Sequence, residues 1–260
     1  MSSAGTLTDG SATSPPHGGA CYVYGVVDAE GRLQALPRGI DGEPLEVIRC
    51  GSVAAVIVHL AEDREIGRRA DLLSHREVLD ALAEFTVVVP VRFGSVMVDE
   101  TSVVEDFLVP GEEHFAELLA SLEGRSQFIL SVGYHQDAAL AEVVRDDPEI
   151  AELRRLTRDL PEEEGYAQRV RLGELVARAM EQKRAYDADV VLDAVLPYVD
   201  QHVLREGGGL EHVADVALLV DDSRRDELEQ RLEGLAEAVH ERMRLQLKGP
   251  MAPYDFVGDA

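Results

Sequence analysis

Residues 86–98 read TVVVPVRFGSVMV, an apolar run broken once by proline, once by arginine and once by glycine. Val87, Val88 and Val89 are β-branched and predict a buried strand. Pro90 has no N–H to give a ladder, so the strand must end there, bulge, or lie at a sheet edge. Arg92 follows in apolar surroundings, where a guanidinium needs a carboxylate or several carbonyl oxygens. An anionic ligand is the alternative partner. No Gly-rich phosphate cradle and no second basic residue stand near it in sequence, so a structural ion pair is the reading adopted.

Working back from this stretch, Cys21 to Val27 (CYVYGVV) predicts a first strand, and Gly31, Pro37, Gly39 and Gly42 a turn-rich connection. Leu45 to Leu60 predicts two more strands, with Gly51 as the hairpin or bulge between them. Arg64 to Ala70 is polar and reads as a loop. Ser74 and Glu77 then have capping-box spacing, and Val78, Leu82 and Phe85 form the inward face of the helix they open. His75, beside that cap, is read as bonded to local backbone, with a chemical role as the alternative.

Working forward, Asp99 to Val109 and Glu112 to Leu122 predict helical pieces joined at Pro110 and Gly111. Gln127 to His135 alternates like one strand. Asp147 and Pro148 open a helix, and Pro161 with Glu162, Glu163 and Glu164 repeats that signature for a long helix toward Tyr186. A further helix is predicted over Asp187 to Arg205, striped by Val191, Val195, Val199 and Val203 and kinked at Pro197. Gly207 to Gly209 end it. Val213 to Val220 predicts a strand. Ser223 opens a helix faced by Leu228, Leu232, Leu235 and Val239, and Met243, Leu245 and Leu247 alternate in a last strand.

At 260 residues the chain is long enough for two cores. The expected class is α+β in two domains: residues 1–19 a disordered leader, 20–125 an N-terminal α+β domain, 126–247 a C-terminal ferredoxin-like domain with a helical insertion, and 248–260 an extended tail. Tyr254 and Phe256 would be poorly solvated if free, so the tail is expected to return onto a domain surface. Fifty acidic against 25 basic residues give a net charge of -25, which excludes duplex DNA and anionic membranes as natural partners. No run approaches the roughly 18 apolar residues of a membrane span, and no signal peptide is read, so a soluble cytoplasmic protein is expected. Cys21 and Cys50 read as free thiols, a disulfide being the alternative.

The residues offer no catalytic constellation. The eight His are scattered without metal-ligand spacing on one helix face, Gly94-Ser95 and Gly51-Ser52 supply only part of a nucleophile elbow, and the paired acids read as helix starts or solvated faces. No Gly-x-Gly-x-x-Gly follows a predicted strand. An enzyme would need a cleft holding His75 or His135 with a carboxylate in reach, and it is the minority reading.

Four stretches taken together resemble the GvpF/GvpL family of gas vesicle proteins: YVYGVV (Tyr22 to Val27), SHREVL (Ser74 to Leu79), VVVPVRFGSV (Val87 to Val96) and GPMAPYDFV (Gly249 to Val257). They occur in the family's order across almost the whole chain after the leader. The residues that carry the likeness most strongly are Pro90, Arg92, Phe93 and Gly94, and in the tail Gly249, Pro250, Pro253, Tyr254 and Phe256; all are expected to be structural. The tail departs from the family in having Met251 and Ala252 where Trp and Pro are usual, and Ala167 stands where Leu is. The resemblance implies a minor structural or assembly protein of the gas vesicle with no enzymatic activity and no cofactor. It also implies a modified ferredoxin-like C-terminal domain and a tail folded back on the domains. The partners it implies are the small hydrophobic shell protein, bound during nucleation and kept from aggregating, and other gas vesicle accessory proteins. A ferredoxin-like sensor or binding domain for a small molecule is the alternative.

Overall fold

The structure, a computed structural model, describes residues 19–31, 36–161, 163–209 and 211–258. The leader predicted at residues 1–19 therefore lies, Gly19 excepted, outside the described residues. So do Glu162 and part of the connection after Gly31. The described chain falls into two compact units, one ending at Ser121 and the other running from Leu122 to Gly258.

In the first unit, β1 (Cys21–Asp28) is the central strand, and its residues 21 to 27 are all buried. It pairs antiparallel with β3 (Val53–His59), which pairs in turn with β2 (Glu46–Cys50) across the Gly51-Ser52 turn. α1 (Arg69–Ala83) follows, and β4 (Val88–Pro90) returns to the other side of β1, giving the order β2-β3-β1-β4. β5 (Val96–Met97) adds a short second pairing to β1. Pro90 thus sits on an edge strand, opposite Gly25, where its missing N–H breaks no ladder.

α1 begins five residues before the predicted cap. Ser74 lies inside the helix, and the capping is done by Asp71, whose carboxylate accepts from the Gly67 and Arg68 N–H groups at 3.0 and 2.9 Å. Arg64 pairs with the same carboxylate, and its hydrogen bond holds the Asp71 carboxyl down to about 2. An acid at the third helical position competes for the cap as well as Ser does, which is why spacing alone misplaced the start. Val78 and Leu82 are buried as predicted, but Phe85 lies beyond the helix end and is exposed.

The two predicted helical pieces after Asp99 are one continuous run: α2 (Glu100–Ser102), a π-helical turn (Val103–Leu108) and α3 (Val109–Leu122). Pro110 does not break it. The wider turn ahead of it, in which the Val109 N–H reaches back to Val104, accommodates a residue that cannot donate.

In the second unit, β6 (Arg125–Tyr134) leads to α4 (Gln136–Asp146), α5 (Pro148–Thr157) and α6 (Tyr166–Val195). Asp147 caps α5 through the N–H groups of Glu149 and Ile150, with Pro148 in the first turn, as its sequence dictates. The acidic signature at Pro161 does not start a helix; α6 starts at Tyr166 and runs unbroken for 30 residues. The helix predicted to Arg205 stops at Val195. Pro197 falls in a 3₁₀ turn (Leu196–Tyr198), and the chain then extends into β7 (Gln201–Leu204). Val191 and Val195 are buried, whereas Val203 is an exposed strand residue: valines four apart mimic a helical stripe until the proline ends it.

β8 (His212–Asp221), α7 (Arg225–Val239) and β9 (Met243–Met251) complete an antiparallel sheet of order β7-β8-β6-β9. Phe128, Leu130 and Val132 of β6 stand opposite Leu218, Val216 and Ala214 of β8. Leu228, Leu232, Leu235 and Val239 of α7 and Val191 and Val195 of α6 share their core cluster. Both units mix helices with an antiparallel sheet, the α+β class expected. Among the described residues no helix is long and apolar enough to cross a membrane.

Candidate functional site

Three of the four family stretches converge on one aromatic cluster in the first unit. β1 contributes Tyr22 and Tyr24, α1 contributes His75, and the turn after β4 contributes Phe93 and Gly94. The Tyr22 hydroxyl bonds His75 Nδ1 at 2.8 Å and accepts from the Gly94 N–H at 3.3 Å. Tyr24 stacks on the imidazole with ring centroids 5.6 Å apart, and its hydroxyl accepts from the Ile40 N–H at 2.8 Å. Phe93 meets the imidazole edge-on, also at 5.6 Å, and closes over Tyr22 at 6.4 Å. The Val91 N–H donates to the Tyr24 carbonyl, which fastens the motif backbone to β1.

This enclosure decides the chemistry of His75. The ring is 2% exposed, and burial drives its pKa down to about 4 against the opposing pull of a hydrogen bond to the Val91 backbone. A neutral imidazole with both nitrogens engaged is a packing element. Its partners come from Tyr22 and Val91 rather than from the local backbone predicted. Burial likewise raises both tyrosines, so their hydroxyls stay protonated donors.

The apolar surroundings read for Arg92 are not what the structure gives it. The side chain is exposed, because the chain turns outward after Val91, which is itself buried. The apolar letters around Arg92 belong to residues that point the other way. Gly94 takes φ +94°, a conformation L side chains rarely adopt.

The tail residues lie elsewhere. Gly249 and Pro250 belong to β9, and Pro253 is buried; Tyr254, which is exposed, and Phe256 begin and end a 3₁₀ turn. Asp255 holds that turn to β6 in both directions, accepting from Gln127 Nε2 at 2.7 Å and donating its N–H to Gln127 Oε1 at 3.1 Å. Arg205 adds an ion pair at 3.4 Å. Ala252, one of the departures from the family, is completely buried.

Two further polar groupings were not legible in the sequence. Asp187, fully buried, accepts from the Tyr134 hydroxyl and from Arg242, both at 2.7 Å, with Lys183 at 3.2 Å. Burial pushes its carboxyl up, and the Arg242 and Tyr134 hydrogen bonds outweigh that, leaving it below its ordinary value. At the far end of the first sheet His59 Nε2 lies 3.2 Å from Glu100 and 3.6 Å from Glu46. His135 is exposed beside an open polar depression shared with Asp137, Glu211 and Arg244. Cys21 and Cys50 are both free.

The described fold is thus an α+β protein on two antiparallel sheets. The sequence model of the family described as gas vesicle synthesis protein GvpL/GvpF matches residues 20–258, and the chain belongs to that family. It is 31% identical over 242 residues to gas vesicle protein F of a Streptomyces species, covering 91% of this chain and 98% of the relative. It is 26% identical over 260 residues to gas vesicle protein L1 of Halobacterium salinarum, covering 92% and 90%. The crystal structure of the gas vesicle protein GvpF from Anabaena superposes with a TM-score of 0.80 at 20% identity, over 93% of this chain and 99% of that one. That of GvpF from Microcystis aeruginosa gives 0.74 at 21%, over 92% and 98%.

Proposed function

We propose that this chain acts in gas vesicle assembly as a minor, non-catalytic cytoplasmic component that binds the small hydrophobic shell protein during nucleation and limits its aggregation. The observation that carries the reading is the family match across residues 20–258. A net charge of -25 supports it, since a strongly charged body keeps an apolar partner dispersed by mutual repulsion of the complexes. Two surfaces of the second unit suit an incoming segment. β7 is an edge strand with all four residues exposed, Val203 and Leu204 among them, and an open edge can accept a strand. A groove of about 430 Å³ between α4 and α6, lined by Leu140, Val176, Ala177 and Met180, has the apolar character that receives a helix.

The same reading takes residues 20–125 and 126–247 as the two domains and 248–260 as a tail returning onto them, with the motif residues in structural roles. The strand order β7-β8-β6-β9 supports treating the second domain as modified ferredoxin-like, with α4 to α6 as the helical insertion. The Gln127–Asp255 pair supports a docked tail. Co-purification with the shell subunit, light scattering of that subunit with and without this chain, and vesicle counts after deletion test the function together. Capture, suppressed scattering and lost vesicles are expected. Absence of all three overturns the proposal.

A further inference from the structure

We propose that Glu46, His59 and Glu100 form a binding site for a divalent transition-metal ion of the zinc class. The side chains come from three elements with no motif in common. Glu46 opens β2 and pairs with Ile57, so His59, two residues further along β3, stands on the same face beside it. Glu100 is the first residue of α2, and the backbone there is fixed by Asp99, whose side chain accepts from the Ser102 N–H at 2.7 Å.

The spacing suits an ion. Ligands about 2.0–2.1 Å from a tetrahedral zinc stand about 3.3 Å from one another. His59 Nε2 lies 3.2 Å from Glu100 Oε1 and 3.6 Å from Glu46 Oε2, and the three ligand atoms all fall within 4.8 Å of each other. One imidazole with two carboxylates is a donor set that zinc and its neighbours accept, and the partly exposed carboxylates leave a fourth position open to water.

The contacts behind the imidazole aim it. Cys21 Sγ lies 3.7 Å from the Gly19 carbonyl oxygen and 3.7 Å from His59 Nδ1. A thiol that donates to Gly19 leaves its sulfur to accept the Nδ1 proton. That tautomer turns the Nε2 lone pair toward the two glutamates, the arrangement a metal-ligating histidine needs behind it.

Zinc chloride titrated calorimetrically into the full chain, stripped with EDTA and held near neutral pH in a non-chelating buffer, tests the site. One ion per chain is expected. Glu46→Gln, Glu100→Gln and His59→Gln are each expected to weaken binding about tenfold or more. Cobalt(II) is expected to give a visible absorption band that the same variants lose. The two glutamate variants are isosteric and partly exposed, so they carry the test if His59→Gln disturbs the strand. Failure to bind one equivalent overturns the site. So does affinity unchanged in Glu46→Gln and Glu100→Gln, which would assign the ion to the diffuse acidic surface.

Discussion

Tyr22 and His75, 53 residues apart in the chain, are joined by a buried 2.8 Å hydrogen bond between the phenol hydroxyl and Nδ1. That bond ties β1 to α1 beneath the Pro90–Gly94 turn, and it turns a titratable ring into part of the core.

The first prediction concerns pH. The folded chain holds His75 neutral down to about 4, against an ordinary 6.5, so between these values the unfolded chain binds a proton that the folded one refuses. The contribution is complete above pH 6.5 and falls away as pH drops through the window toward 4, by on the order of 3 kcal/mol at most. His75→Phe should flatten this part of the slope, whatever it does to stability at neutral pH. Urea midpoints recorded across the window check it, and an unchanged slope in the variant would refute the assignment.

Tyr22→Phe removes the hydroxyl while keeping the ring, and it leaves His75 Nδ1 and the Gly94 N–H without their partner. A loss of about 1–3 kcal/mol is expected, since a buried polar group left unsatisfied costs its desolvation. Equilibrium denaturation measures it.

Within the Pro-x-Arg-Phe-Gly motif the two neighbours should separate. Phe93→Ala strips a ring from the Tyr22–His75 cluster and should cost about 2–3 kcal/mol. Arg92→Ala, at an exposed side chain, should cost less than about 1 kcal/mol. Melting curves of equal depression for the two would contradict the exposed placement of Arg92.

In the tail, a Cβ on Gly249 would stand 2.7 Å from Phe128 Cδ1 and 2.8 Å from the Gln127 carbonyl oxygen, at a φ of +140°. Gly249→Ala should therefore cost about 1–3 kcal/mol and loosen the Asp255 contact to Gln127. Faster amide exchange at Asp255 than in the parent is the expected sign, and an unaltered rate would show that strand and turn are uncoupled.

A last prediction bears on the partner. Lysine at an exposed edge blocks strand addition, so Leu204→Lys should reduce capture of the shell protein with stability changed by less than about 0.5 kcal/mol. Leu72→Lys, an equal charge change on exposed α1, should leave capture intact. Equal capture by both variants would remove β7 from consideration.

Much of this protein was written in its local pattern. Alternation in β6 and β8, the leucine stripe of α7, the Asp147-Pro148 cap and the proline that confines β4 to an edge all follow from interactions within a few residues. Each is therefore legible along the chain. The tertiary structure alone decided which side chains share a space. Arg92 looked buried because its neighbours in sequence are apolar, yet a turn points it to solvent. His75 looked like a cap residue until β1 and the Phe93 turn enclosed it. Asp187 meets Tyr134 and Arg242, Gln127 meets Asp255, and Glu46, His59 and Glu100 meet one another across 13 to 128 residues of chain. Contacts of that range depend on sheet order and helix docking, which no local periodicity encodes.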